Sequence, residues 1–330
     1  MYSQVANAAE ADQLVKHYGD FTAVDGVSLS IRFGEVFGLL GPNGAGKTTT
    51  IGMMLGVLRP ASGTVRLFGT QLIGNETRLL ARVGALVETP TFYPYLGARD
   101  NLRVLAKIDG KTPDNAVDSV LNLTDLTTAA MKPFRTYSLG MKQRLGIAAA
   151  LLSNPEIVIL DEPTNGLDPA GIVKIRSLLR RLADDGKAVV LSSHQLNEVQ
   201  RICDRVAIIN AGKVVAEGTV SQLLSGLRRT RVTVSNLERA IEIIEQFDWV
   251  TSLKVNNNQL EIGGAAPNQF ELSRVLTSEG IWISNLNSNE GSLEEYFLGL
   301  TSAPTSSLNG HQSRQAASVV TSHNGLNGAN

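Results

Sequence analysis

The stretch Gly41-Pro-Asn-Gly-Ala-Gly-Lys-Thr48 constrains this chain more than any other. It fits glycine, four free positions, then glycine-lysine-threonine. The short apolar run Val36–Leu40 precedes it, and a helical pattern opens near Thr48. The glycines let the backbone curl until several N–H groups point inward. The helix that follows adds the positive end of its dipole. Strand, loop and helix in that order form a cradle for the phosphates of a nucleotide. The candidate contacts are Gly41, Pro42, Asn43, Gly44, Ala45, Gly46, Lys47, Thr48 and Thr49. Lys47 should reach the β- and γ-phosphates, and the Thr48 hydroxyl should bind Mg²⁺.

A second apolar run, residues 157–160, ends in Asp161-Glu162. A buried strand that ends in two carboxylates brings them to the carboxyl edge of its sheet, where α/β folds bind ligands. Asp161 is then placed to hold Mg²⁺ through water, and Glu162 to polarise an attacking water. Alone, the pair would read as solvated carboxylates. Beside a phosphate loop it reads as the hydrolytic half of an ATP site.

Short β-branched runs at residues 36–40, 83–87, 157–160, 188–191 and 206–209 alternate with helical patterns. That alternation predicts an α/β domain over residues 13–226 with a largely parallel sheet. Residues of about 97–137 interrupt it as a polar helical insertion. From residue 227 to 300 the pattern becomes β-α-β-β-α-β, which predicts a small ferredoxin-like α+β appendage. Residues 1–12 are expected to be a flexible N-terminus. The Ser-, Asn- and Gly-rich residues 301–330 are expected to form a disordered tail.

The formal net charge is −1, without the basic surplus of a general nucleic-acid binder. Cys203 is the only cysteine in the sequence, so neither an intrachain disulfide nor a cysteine metal cluster is available. It lies in a helical pattern, as a buried structural thiol would. No run reaches the roughly 18–20 apolar residues of a membrane span, and the N-terminus lacks the marks of a signal peptide. A role at a membrane would need a partner.

Residues 161–169, Asp-Glu-Pro-Thr-Asn-Gly-Leu-Asp-Pro, resemble the Walker B and D-loop segment of ATP-binding cassette (ABC) ATPases. Tyr137-Ser-Leu-Gly-Met-Lys-Gln-Arg144 resembles their signature motif, and Ser192-Ser-His194 their switch-histidine segment. The signature tract is similar to that of exporters of the bacitracin and lantibiotic immunity type. The likeness implies a P-loop ATPase subunit of an exporter with ATP and Mg²⁺ as ligands. It also implies a second copy across an ATP sandwich and separate transmembrane permease subunits at the cytoplasmic face of the membrane.

By the same likeness Ser138 and Gly140 would touch the γ-phosphate held by the opposite copy, and Asp168 would reach across the interface. His194 would contact the γ-phosphate and orient the attacking water, and Tyr18 would stack on adenine. Leu139 and Met141 depart from the family's usual Leu-Ser-Gly-Gly-Gln. Glu88 stands where the family has a glutamine that touches Mg²⁺, and its carboxylate is a harder oxygen ligand. Tyr93, Tyr95 and Asn101 would line the docking groove for the membrane partner. A soluble ABC ATPase of repair or translation is the rival class. Such proteins usually carry a second cassette, a coiled coil or a zinc-binding insertion, and this sequence has none of them.

Lys47→Ala is expected to abolish nucleotide binding or weaken it severely, because it removes the only side-chain cation of the cradle. Equilibrium titration with a fluorescent ATP analogue checks this. An unchanged affinity would place the site elsewhere.

Overall fold

The computed structural model describes residues 7–302, apart from residues 89, 114, 226, 228, 257–258, 265–268 and 290. Its first strands correct the expectation of a flexible N-terminus over residues 1–12. β1 (Asn7–Tyr18) turns at Gly19-Asp20 and pairs antiparallel with β2 (Phe21–Arg32). β1 buries Ala8, Ala9, Ala11 and Leu14. Alanine and acidic residues are weak strand formers, so pairing imposes the strand state here, not local propensity. Residues 1–6 lie outside the described residues.

β3 (Val36–Leu40) runs into the glycine-rich loop and then α1 (Lys47–Met54). β4 (Ser62–Leu67) and the short β5 (Thr70–Gln71) join the first hairpin in a four-stranded sheet of order β2-β1-β4-β5. The sequence reading did not foresee this sheet. α2 (Glu76–Leu80) leads to β6 (Val83–Leu86). The helical insertion follows with α3 (Ala98–Asp109) and α4 (Ala116–Leu123), and a bridge between Gly97 and Pro133 ties its two ends together.

The chain returns to the core through α5 (Leu139–Leu151), β7 (Ile157–Asp161), α6 (Pro169–Asp184) and β8 (Ala188–Ser193). α7 (Leu196–Gln200), β9 (Arg205–Asn210), β10 (Lys213–Thr219) and α8 (Val220–Ser225) complete it. The six-stranded sheet has the order β10-β9-β3-β8-β7-β6. All neighbours are parallel except β10, which pairs antiparallel with β9. β8 therefore lies between β3 and β7, and the ends of all three meet at one edge.

Both faces of this sheet are covered, which explains why its strands are apolar at nearly every position. Phe37, Leu39, Ile157, Ile159 and Val190 pack with Ile51 and Met54 of α1 and with Val24, Ile31 and Leu67 of the antiparallel sheet. Leu40, Val158, Leu160 and Leu191 face the other way, toward Leu145, Ile147, Ile175 and Leu179 of α5 and α6. Each fully buried Leu, Ile or Val contributes about 1.5–3 kcal/mol of transfer free energy.

β11 (Arg229–Val234), α9 (Leu237–Ile244), β12 (Ser252–Asn256), β13 (Gln259–Gly263), α10 (Gln269–Ser278) and β14 (Ile283–Asn289) form the appendage. Its sheet is antiparallel, in the ferredoxin-like order β12-β13-β11-β14, over its own core of Val232, Ile244, Leu260 and Leu276. α11 (Leu293–Ser302) then leaves the appendage and packs back on α7 and α8. Thr301 and Ser302, expected to open the tail, belong to this helix, and residues 303–330 lie outside the described residues.

Gly84 in β6 marks a close approach of α5 to the sheet. A Cβ there would fall 1.9 Å from the Ala150 carbonyl oxygen and 2.8 Å from Pro155 Cγ. Gly84→Ala is expected to destabilise the fold by about 1–3 kcal/mol, the usual cost of forced overpacking, because the nearest obstacle is backbone and is not cheap to move. A fall in the thermal unfolding midpoint of several degrees checks this, and an unchanged midpoint would refute the contact.

Candidate functional site

Two glycines fix the course of the loop. Gly41 has φ +152°, and a Cβ there would lie 2.1 Å from the Ile209 carbonyl oxygen in β9. Gly46, the N-cap of α1, has φ +104°, and its Cβ would lie 2.5 Å from the Ala23 carbonyl oxygen in β2. The loop is thus held between the parallel sheet and the first hairpin. Lys47 is buried, and its ammonium donates to the carbonyls of Gly41 at 2.8 Å and Pro42 at 3.1 Å. Burial pushes its pKa down, while the Glu162 and Asp161 carboxylates oppose that shift.

Asp161 and Glu162 stand at the end of β7 beside this loop. Thr48 Oγ1 donates to Asp161 Oδ2 at 2.8 Å. Ser192 Oγ, at the end of β8, donates to the other Asp161 oxygen and accepts from the Glu162 backbone N–H at 3.0 Å. Glu162 is held with φ +50°, a left-handed conformation that costs a non-glycine residue of order 1 kcal/mol or more. Its carboxylate lies 3.8 Å from Lys47 Nζ, and both its oxygens lie 2.9 Å from His194 Nδ1. The Gln143 side chain, buried in α5, donates to the Glu162 carbonyl at 3.1 Å.

Ser192 and Gln143 were given no role from sequence alone. The signals for them were a serine ending an otherwise apolar strand and a glutamine on the buried side of a helix. Phe21 was missed as well. It pairs with Tyr18 across the hairpin turn, and both rings are exposed beside the loop. Together with Ala23, residues 43–49 and Glu162 they line a cleft of about 290 Å³. Lys16 Nζ sits 5.6 Å from the centroid of the Tyr18 ring. The two aromatic rings can flank a flat base while the loop holds its phosphates.

The remaining candidates lie outside that cleft. Ser138 is the N-cap of α5, accepting from the Met141 N–H at 3.2 Å. Asp168 caps α6, accepting from the Gly171 N–H at 3.0 Å. Leu139, the departure from the usual signature, lies over Gly166, where any Cβ would come within 2.2 Å of it. Gly140 sits against Leu167 of the same loop. Glu88 is exposed, has φ +61°, and is not among the residues around the cleft.

Asn101 requires a correction. It is 2% exposed and does not line a groove. Its side chain instead exchanges hydrogen bonds with the backbone of Tyr93, Leu96 and Gly97, which holds the loop bearing the exposed Tyr93 and Tyr95.

The donors near Asp161 suit Mg²⁺. A hydroxyl and a carboxylate, both hard oxygens, adjoin the phosphate cradle. Among the described residues, no group of three or more His, Cys, Asp or Glu side chains could hold a metal ion without other ligands. A cation here would share its coordination with phosphate oxygens and water.

Fold and site together define a phosphate-loop ATPase. The family model for ABC transporters matches residues 24–165. The bacitracin transport ATP-binding protein of Enterococcus faecalis is 41% identical, over 87% of this chain and 94% of that protein. Its namesake in Bacillus licheniformis is 39% identical, over 88% and 96%. A solved dimeric bacterial ABC transporter cassette matches with a TM-score of 0.59 and 27% identity, over 64% of this chain and 98% of that one. The chain belongs to the ABC transporter ATP-binding proteins, and it is an ATPase.

Phe21→Ala is expected to weaken ATP binding by about 1 kcal/mol, the low end for an aromatic that stacks on a base. Binding of inorganic triphosphate should not change. Calorimetric titration with both ligands checks this, and equal losses for the two would remove Phe21 from the base site.

Proposed function

We propose that this chain is the ATP-hydrolysing subunit of an exporter, in which two copies close on two MgATP and drive separate transmembrane subunits. The observation that carries the hydrolytic reading is the Glu162 carboxylate, which lies beside the phosphate loop with His194 Nδ1 2.9 Å from both its oxygens. Similarity to bacitracin transport proteins over nearly their whole length supports export. Among the described residues, no helix is long and apolar enough to cross a membrane, so a transport pathway would belong to a partner.

Tyr18 and Phe21 flank the adenine. Lys47 turns from its own loop carbonyls to the β- and γ-phosphate oxygens, and the N–H groups of residues 43–49 hold the rest. Mg²⁺, when bound to Thr48 Oγ1 and through water to Asp161, supplies charge against the triphosphate. Glu162 accepts a proton from water as the water oxygen bonds to the γ-phosphorus. The bond from that phosphorus to the β–γ bridging oxygen breaks, leaving ADP and inorganic phosphate. His194 holds the Glu162 carboxylate and orients the attacking water.

Ser138 and Gly140 complete the site of the second copy. The Ser138 hydroxyl accepts from Met141 N–H and keeps its own proton to donate to the opposing γ-phosphate. The positive end of α5 points the same way. Asp168 follows across the interface, and Glu88 adds an oxygen near the metal only as the two copies close. The exposed Tyr93 and Tyr95 rings form the contact with the membrane partner.

Glu162→Gln keeps the shape of the site and removes the base. MgATP binding should survive, and hydrolysis should fall by about 10²- to 10⁴-fold. Sizing chromatography with MgATP should then show a dimer that Ser138→Arg abolishes while each monomer still binds ATP. Hydrolysis at the parent rate would sink the role of Glu162, and a double variant that still dimerises would sink the facing arrangement.

A further inference from the structure

A helix of only five residues has no stability of its own, so α7 stays where its neighbours hold it. It begins two residues after His194. On one side it rests on the strand that feeds the phosphate loop. A Cβ added at Gly38 of β3 would fall 2.8 Å from Val199 Cγ1 and 2.9 Å from Cys203 Sγ. Burial pushes the Cys203 thiol well above its ordinary pKa, as suits a packing group.

On its other side α7 meets α11, from beyond the appendage. Leu293 is fully buried in the same apolar cluster as Val199, and Tyr296 packs against that cluster. Gln200 Oε1 accepts from the Leu293 N–H at 3.1 Å, and its Nε2 makes a longer contact of 3.5 Å with the Gly291 carbonyl. Gln200 thereby supplies an acceptor that the first turn of α11 lacks, while Ser292 Oγ accepts from the Glu295 N–H at 3.1 Å.

We propose that Gln200 and Leu293 are positioning residues for hydrolysis, a latch through which α11 fixes α7 and so sets where His194 stands against Glu162. The inference rests on the role assigned to His194 above. It makes the chain beyond the ferredoxin-like unit a working part of the ATPase.

The test uses the full chain with Leu293→Ala, Gln200→Ala and Gln200→Glu, the last retaining an acceptor for the Leu293 N–H. Hydrogen exchange should quicken at the amides of residues 196–203 in both alanine variants. Their kcat should fall by about two- to thirty-fold, the range for residues that act through a coupled element, with KM for ATP unchanged. Gln200→Glu should restore most of the rate. In a His194→Ala background neither alanine variant should cost anything further, because the group they position is gone. Unchanged exchange at residues 196–203 would overturn the latch. Faster exchange with an undiminished kcat, or with a full further loss beside His194→Ala, would overturn its action through the histidine. Parent-rate hydrolysis by His194→Ala alone would overturn the assignment beneath it, and the exchange data tell that failure from a failure of the latch.

Discussion

Asp161 has two carboxylate oxygens, and each holds a different part of the molecule. One accepts from Thr48 at the head of α1, the other from Ser192 at the end of β8. Ser192 passes the connection on by accepting from the Glu162 N–H, and the Glu162 carboxylate meets His194. One chain of hydrogen bonds thus joins the phosphate loop, the acidic pair and the switch segment. Its members sit on or just after β7 and β8 and at the head of the helix that follows β3, so the order β3-β8-β7 is a condition of the site. At its buried members, Asp161 and Ser192, such bonds are strong when complete, and their unpaired groups are costly when broken.

The same site carries an electrostatic tension that a triphosphate would relieve. Lys47 is a buried cation whose ammonium is satisfied by loop carbonyls, with Glu162 as its nearest anion at 3.8 Å. Burial without a close, well-aligned partner disfavours the charge. Phosphate oxygens in the cradle would supply that partner. The left-handed backbone of Glu162 is a second local cost, and the hydrogen bonds of its N–H to Ser192 and of its carbonyl to Gln143 offset it.

Leu139 and Asn101 are both accommodated by the backbone opposite them. Leu139 stands where a glycine is usual, and it fits because Gly166 opposite has no side chain. Asn101 has its polar atoms satisfied by the backbone of residues 93–97, which turns a residue expected on the surface into the peg that shapes that surface. In both cases a polar or bulky side chain is tolerated because its partner is backbone.

The sequence by itself determined the phosphate loop, the acidic pair, the parallel strands and the β-α-β-β-α-β order of the appendage. Each is written locally, as a glycine spacing, an apolar run ending in carboxylates or a change of period. The antiparallel sheet was not legible, because β1 is built from alanines and charged residues that take strand form only against β2 and β4. Phe21, Ser192 and Gln143 were given no role for a related reason: although Ser192 and Gln143 stand inside the switch and signature tracts, all three matter through residues 3, 30 and 19 positions away, which no local pattern names. Tertiary structure alone decided that α11 returns to α7. That contact joins residues 93 positions apart, and the buried Leu293 side chain that anchors it has no local pattern to announce it, because hydrophobic burial depends on what the folded chain brings opposite.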